Sequence, residues 1–151
     1  MNTEIYRMIY CSRNRIKGKD LEVSAEIQQI LRTSRANNAE AGVTGALLYN
    51  AGNFAQTLEG PPGAVEEIFE RIQQDFRHSD VTIIESGPAT SRIFGNWAMA
   101  MCGNASATPV PATTAVFEAA FARSSGASGK ILSLLNDLVL QDDEAILLDA
   151  W

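Results

Sequence analysis

The run VTGALLYNAGNFAQTLEG, residues 43–60, holds two short apolar segments separated by Asn50, Ala51 and Gly52. Asn and Gly tolerate the positive φ that a tight hairpin demands, so residues 43–49 and 53–59 read as its two strands. Gly60, Pro61 and Pro62 close the second strand, because proline cannot continue a ladder. In that strand Phe54, Gln56 and Leu58 share one face. A glutamine between two large apolar residues on a core-facing side must find hydrogen-bond partners or cost roughly 1–3 kcal/mol.

Working outward, residues 4–12 (EIYRMIYCS) read as a strand with Tyr6, Met8 and Tyr10 on one face. Ile5, Arg7, Ile9 and Cys11 take the other. From residue 21 to about 38 the period lengthens, and Ile27, Ile30, Leu31, Ser34 and Asn38 fall on one helical face that turns polar toward its end. A second helix over residues 63–76 carries Val65, Ile68, Phe69, Ile72 and Phe76. Residues 81–86 and 97–102 read as further strands. The order strand, helix, two strands, helix, two strands predicts an α+β fold, a ferredoxin-like βαββαββ plan with a five-stranded mixed sheet and both helices on one face.

The stretch GNASATPVPATT, residues 103–114, is small, polar and proline-containing, and reads as a linker. Two short helical patterns follow, one with Val116, Phe117, Ala120 and Phe121, the other with Ile131, Leu132, Leu134, Leu135, Leu138 and Val139. Each is too short to stand alone and needs a surface to pack on. The expected division is a domain over 1–103, a linker over 104–114 and a C-terminal helical extension over 115–151 that folds back on the open face of the sheet.

Composition narrows the function classes. Hydrophobic residues make up 46% of the chain and charged residues 20%, as in an ordinary globular domain, and the net charge of −6 argues against nucleic acid as a partner. The N-terminal stretch is locally basic, with Arg7, Arg13, Arg15, Lys17 and Lys19 against Glu4. With a single histidine and with Cys11 and Cys102 far apart, no metal site is expected. Neither a signal peptide nor an apolar run long enough for a membrane helix is visible, so a soluble, cytoplasmic protein is expected.

Tyr10, Asn38 and Gln56 are polar residues on faces expected to be covered by the two helices. Taken singly, each could satisfy a buried backbone group. Together, with Ile30 and Ile72 as apolar walls, they suit a pocket between two helices for a planar heteroaromatic ligand with carbonyl and N–H edges. The residues alone reach no further than that.

The same positions carry a resemblance. The run Tyr10-Cys11-Ser12, the segment from Ser34 to Asn38, the stretch from Gly42 to Tyr49, the strand from Phe54 through Gln56, Leu58 and Glu59 to Gly60, the pair Arg77-His78 and Trp97 with Met99 resemble BLUF domains in order and spacing, over residues 4–103. The resemblance implies a flavin, FAD or FMN, held noncovalently between the two helices. It implies Tyr10 as electron and proton donor, Gln56 as the bridge from Tyr10 to the flavin, and Asn38, beside Asn37, at the carbonyl edge. Ser34 becomes a minor contact and Ile30 and Ile72 the walls. Arg71, Asp75, Arg77 and His78 match positions near the ribityl-phosphate or pyrimidine side. For Arg71 and Asp75 a surface pair at i,i+4 spacing is the competing reading. Trp97 and Met99 would form the photoactive relay, and neither cysteine is required.

The implied protein is a short, stand-alone photoreceptor with no enzymatic output. It would signal by light-dependent binding to a separate regulatory protein or by a change in a homo-oligomer. Two rivals from other classes are an acylphosphatase-like small hydrolase on the same fold and a flavin-free interaction module. The basic segment from Arg13 to Lys19 lacks the glycine-rich character of a phosphate cradle.

Overall fold

The structure, a computed structural model, describes residues 4–15, 20–50, 52–75, 77–95, 100–102, 111–122 and 125–141. Its elements in chain order are β1 (Ile5–Asn14), α1 (Asp20–Ala41), β2 (Thr44–Asn50), β3 (Asn53–Gly60), α2 (Pro62–Gln73), β4 (His78–Ala89), β5 (Ala100–Cys102), α3 (Pro111–Phe121) and α4 (Ala127–Gln141). The strands lie in the order β4-β1-β3-β2-β5. The first four pair antiparallel, and the three-residue β5 joins the β2 edge in parallel.

Local chemistry sets the boundaries. Helix α1 ends at Gly42, whose φ of 73° suits a residue without a Cβ. The Val43 N–H reaches back to the Asn38 carbonyl at 2.8 Å and the Gly42 N–H to Ala39, so two of the last carbonyls of α1 are satisfied as the chain turns into β2. Gly52, at φ 86°, makes the hairpin turn between β2 and β3. Pro62 opens α2 at a position where a missing N–H costs nothing.

The alternation of β1, β2 and β3 divides the molecule into two cores. One face carries Met8, Tyr10, Leu47, Tyr49, Phe54 and Leu58, packed against Ile27 and Leu31 of α1 and Val65, Ile68 and Phe69 of α2. The other carries Ile9, Cys11, Ala46, Leu48 and Ala55, and is covered by Phe94, by Phe117 and Ala120 of α3, and by Ile131 and Leu135 of α4. The terminal helices thus lie across the sheet from α1 and α2.

Several bounds differ from those read in the sequence. Strand β4 runs well beyond residues 81–86, because its extra residues are polar or small and lie at an exposed sheet edge where no apolar alternation is needed. Helix α2 stops at Gln73 rather than at residue 76, and Phe76 lies outside the described residues. Residues 111–114, expected in the linker, belong to the first turn of α3, with Pro111 at its start. Trp97 and Met99 lie outside the described residues, which resume at Ala100 in β5. Among the described residues no helix is long and apolar enough to cross a membrane.

One glycine is tied to close approach rather than to a turn. A Cβ on Gly45 would come within 2.0 Å of the Thr57 carbonyl oxygen, a backbone atom that cannot swing away. Gly45→Ala is therefore expected to lower stability by roughly 2–3 kcal/mol through forced displacement of β2 from β3. Denaturant unfolding checks this, and a wild-type midpoint would show that the two strands can yield there.

Candidate functional site

Antiparallel pairing of β1 with β3 sets Tyr10 opposite Gln56, and pairing of β2 with β3 sets Leu47 on the other side of Gln56. All three side chains point toward α1 and α2, and Tyr10 and Gln56 are only 3% and 4% exposed. The Tyr10 hydroxyl donates a hydrogen bond to Gln56 Oε1. Burial pushes the Tyr10 phenol far above its usual ionisation range, and the negative charge of Asp75 adds to the effect. The phenol is accordingly neutral throughout the physiological range, with its proton directed at the amide oxygen. Phe69 of α2 packs on the ring at a centroid distance of 5.4 Å, tilted by 59°.

Above this pair the two helices leave a cleft. One part, about 430 Å³ counted out to its mouth, is lined by Tyr10, Ile30, Ser34, Gln56, Ile72 and His78 among others. The adjoining part, about 550 Å³, adds Asn37, Asn38 and Arg71. Ile30, Ser34, Gln56, Ile72, Asp75 and Arg77 belong to both, so the two form one continuous opening. Asn38 is buried on α1, and Ser34 and Ile30 are half-buried one and two turns before it.

The turn from α2 into β4 forms the polar end. Asp75 accepts from the Arg77 backbone N–H at 2.9 Å and from its guanidinium at 2.5–3.0 Å. Arg77 also reaches Glu26 of α1 at 3.3 Å, joining that turn to the first helix. His78 is held at both ring nitrogens. Nε2 lies 2.6 Å from the Ile72 carbonyl, which can only accept, so Nε2 carries the proton; Nδ1 lies 2.8 Å from the Ser12 hydroxyl. This histidine ties the end of α2 to β1, and its ring stands edge-on to Tyr10 at 6.4 Å.

The structure therefore brings Tyr10, Ile30, Ser34, Asn37, Asn38, Gln56, Arg71, Ile72, Asp75, Arg77 and His78 around one cleft. Arg71, however, pairs with Glu67 at 3.2 Å rather than with Asp75, whose carboxylate is engaged by Arg77. Ser12, Glu26, Leu47 and Phe69 were not singled out as site residues in the sequence. Ser12 had a usable signal, since it stands two residues beyond Tyr10 and so on the same strand face. Cys11 points to the opposite face, and burial raises its thiol to about 11, which leaves it unreactive. No group of residues suited to a metal ion occurs among the described residues.

The donor set fits a flavin. Ile30 and Ile72 offer apolar walls for a planar ring system, and the buried amides of Asn38 and Gln56 offer both donors and acceptors to its polar edge.

Comparison with known proteins agrees. A family model described as BLUF, sensors of blue-light using FAD, matches residues 5–100. Over 93 residues the chain is 39% identical to the photoactivated adenylate cyclase subunit beta of Euglena gracilis, covering 62% of this chain and 10% of that protein. It therefore spans about a tenth of the length of the curated relatives it matches. The dark-state structure of BlrB, a BLUF protein, is 39% identical with a TM-score of 0.61, covering 66% of this chain and 72% of that one. The photo-activated state of BlsA is 25% identical with a TM-score of 0.70, covering 91% and 96%.

The ion pair at the polar end has a testable pH signature. The hydrogen bonds from Arg77 hold the Asp75 carboxyl below its ordinary 3.8, with burial working the other way. A depressed folded-state value contributes stability that is complete above the unfolded value and is lost as pH falls through the folded one. Asp75→Asn should therefore be less stable than wild type near neutral pH, by less than about 1 kcal/mol because the pair is partly solvated. The gap should close in acid below 3.8. Denaturant unfolding across that range measures it, and a gap independent of pH would refute the assignment.

Proposed function

The chain belongs to the BLUF family, matched over residues 5–100, and from that premise we propose that it is a blue-light photoreceptor whose signal is a rearranged hydrogen bond at Gln56. The observation that carries this reading is the buried bond from Tyr10 to Gln56 Oε1 beneath a cleft between two helices. BLUF domains bind flavin by definition of the family. When bound, flavin supplies blue absorption and, once excited, an oxidant able to take an electron and a proton from a phenol.

The protein's own part begins with Ile30 and Ile72, which would sandwich the ring, and with Asn38, Asn37 and Ser34, which would orient its carbonyl edge. Arg71, Asp75, Arg77 and His78 would face its pyrimidine or ribityl-phosphate side, and the ligand is FAD or FMN. Tyr10 holds its proton on Oη because burial disfavours the phenolate. A proton leaving Oη meets Gln56 Oε1 directly. The amide can then exchange its accepting and donating ends by rotation or by tautomerisation, and either change outlasts the light without forming a covalent bond.

Output would pass through Trp97 and Met99, immediately before β5, to α3 and α4 on the far side of the sheet. We assign residues 1–103 to the sensor, 104–110 to a linker and 111–151, from the start of α3, to the output extension. The extension would act on a separate regulatory protein, in a homo-oligomer, with no catalysis and no nucleic acid involved. The cytoplasm is the compartment this implies. The cyclase named in the curated relatives is a property of those proteins, of which this chain matches about a tenth.

An absorption spectrum before and after a blue flash tests the proposal. The purified protein should be yellow, and its flavin band should move reversibly to the red without bleaching. Gln56→Leu should keep the flavin and lose the shift, and Tyr10→Phe should do the same. A colourless protein that takes up neither FAD nor FMN would overturn the reading.

A further inference from the structure

Among the described residues the buried polar side chains are Ser12, Asn38, Gln56, Thr57 and Glu59, and of these only Glu59 is an acid. A carboxylate taken wholly out of water is destabilising unless donors meet its oxygens. Here Oε2 accepts from Arg7 Nε at 2.7 Å and from the Ile93 N–H at 2.9 Å, while Oε1 accepts from the Phe94 N–H at 2.8 Å and again from Ile93 at 3.0 Å. Two of the three donors are backbone groups of one short segment, residues 93–94.

That segment has an unusual path. Strand β4 lies at one edge of the sheet and β5 at the other, so the chain between them must cross the ends of the central strands. The crossing is fastened on both flanks of Glu59. Arg7 Nη2 also donates to the Ser91 carbonyl at 2.7 Å. The Arg92 guanidinium donates to Thr44 Oγ1, to the Glu59 carbonyl and to the Gly42 carbonyl at 2.8–3.1 Å. With the segment so held, the Phe94 side chain is fully buried in the core that Phe117 of α3 and Ile131 and Leu135 of α4 complete.

Glu59 stands on β3 three residues beyond Gln56 and, by the alternation of the strand, on its opposite face. We infer that Glu59 is a positioning residue that fixes the β4–β5 crossing, seats Phe94 under α3 and α4, and so joins the strand bearing Gln56 to the C-terminal helices. Its light-dependent half rests on the function proposed above.

The test is amide hydrogen exchange on the flavin-loaded full chain, dark and illuminated, with the absorption shift recorded on the same samples. Glu59→Gln is nearly isosteric, but its amide nitrogen cannot accept from Ile93 or Phe94 as the carboxylate does. In the dark, exchange at Ile93 and Phe94 should quicken by about tenfold or more, as expected when a charge-assisted bond to a buried group is lost. The flavin shift should persist, and the light-minus-dark difference that wild type shows in α3 and α4 should disappear. If Glu59→Gln does not fold, Arg92→Ala, which loosens the same crossing and leaves the carboxylate in place, is read by the same criteria. A folded variant with wild-type exchange at residues 91–95 and in both helices overturns the inference, as does a wild type whose flavin shifts while α3 and α4 do not respond. A wild type with no flavin shift defeats the photoreceptor reading instead, and the dark exchange comparison still decides the positioning role.

Discussion

Slip the pairing of β1 against β3 by one residue and Tyr10 loses Gln56 as its neighbour, because successive side chains of a strand point to opposite faces. The register of these two central strands is the constraint from which the remaining geometry follows. It puts Tyr10 beside Gln56 under α1 and α2, and it puts Arg7 beside Glu59 on the reverse. The apolar residues flanking each pair leave little choice. A slipped β1 would turn Met8 and Tyr10 out of a core they share with Phe54, Leu58 and both helices.

Within that frame the two sheet faces handle polarity differently. On the helix-roofed side a neutral phenol donates to the oxygen of a neutral amide, and burial keeps the phenol neutral. On the other side a carboxylate is buried outright, which is tolerable because one guanidinium and two backbone N–H groups converge on it. The neutral pair leaves its amide able to exchange donor and acceptor ends. The charged cluster has no comparable freedom, since a carboxylate only accepts and its donors are fixed.

Much of this was legible in the chain itself. The period of two in Tyr6, Met8 and Tyr10 and the Asn50 to Gly52 turn disclosed the strands, and Gln56 between Phe54 and Leu58 marked an odd position. The cleft residues on α1 followed from helical spacing. What stayed hidden was set by tertiary neighbours. Glu59, next to Gly60 and two prolines, looks like a charge at the solvent end of a strand, and its backbone partners lie 34 and 35 residues away. Arg71 had two carboxylates within helical reach, and the choice of Glu67 depends on Arg77 having claimed Asp75. The length of β4 was obscured because an exposed edge strand needs no apolar alternation.

The face beneath α3 and α4 is floored by Ile9, Cys11, Ala46, Leu48 and Ala55, and Phe94 and Phe117 complete the same buried cluster. A floor of that kind is a socket without a plug of its own. Any state in which the two helices lift away uncovers both the socket and the aromatic side chains that fill it, and the two surfaces stay complementary when they belong to different molecules. Undocking thus carries a colloidal penalty in proportion to protein concentration: an uncovered apolar strip is a site of self-association, and helix exchange between neighbours is its most economical closure.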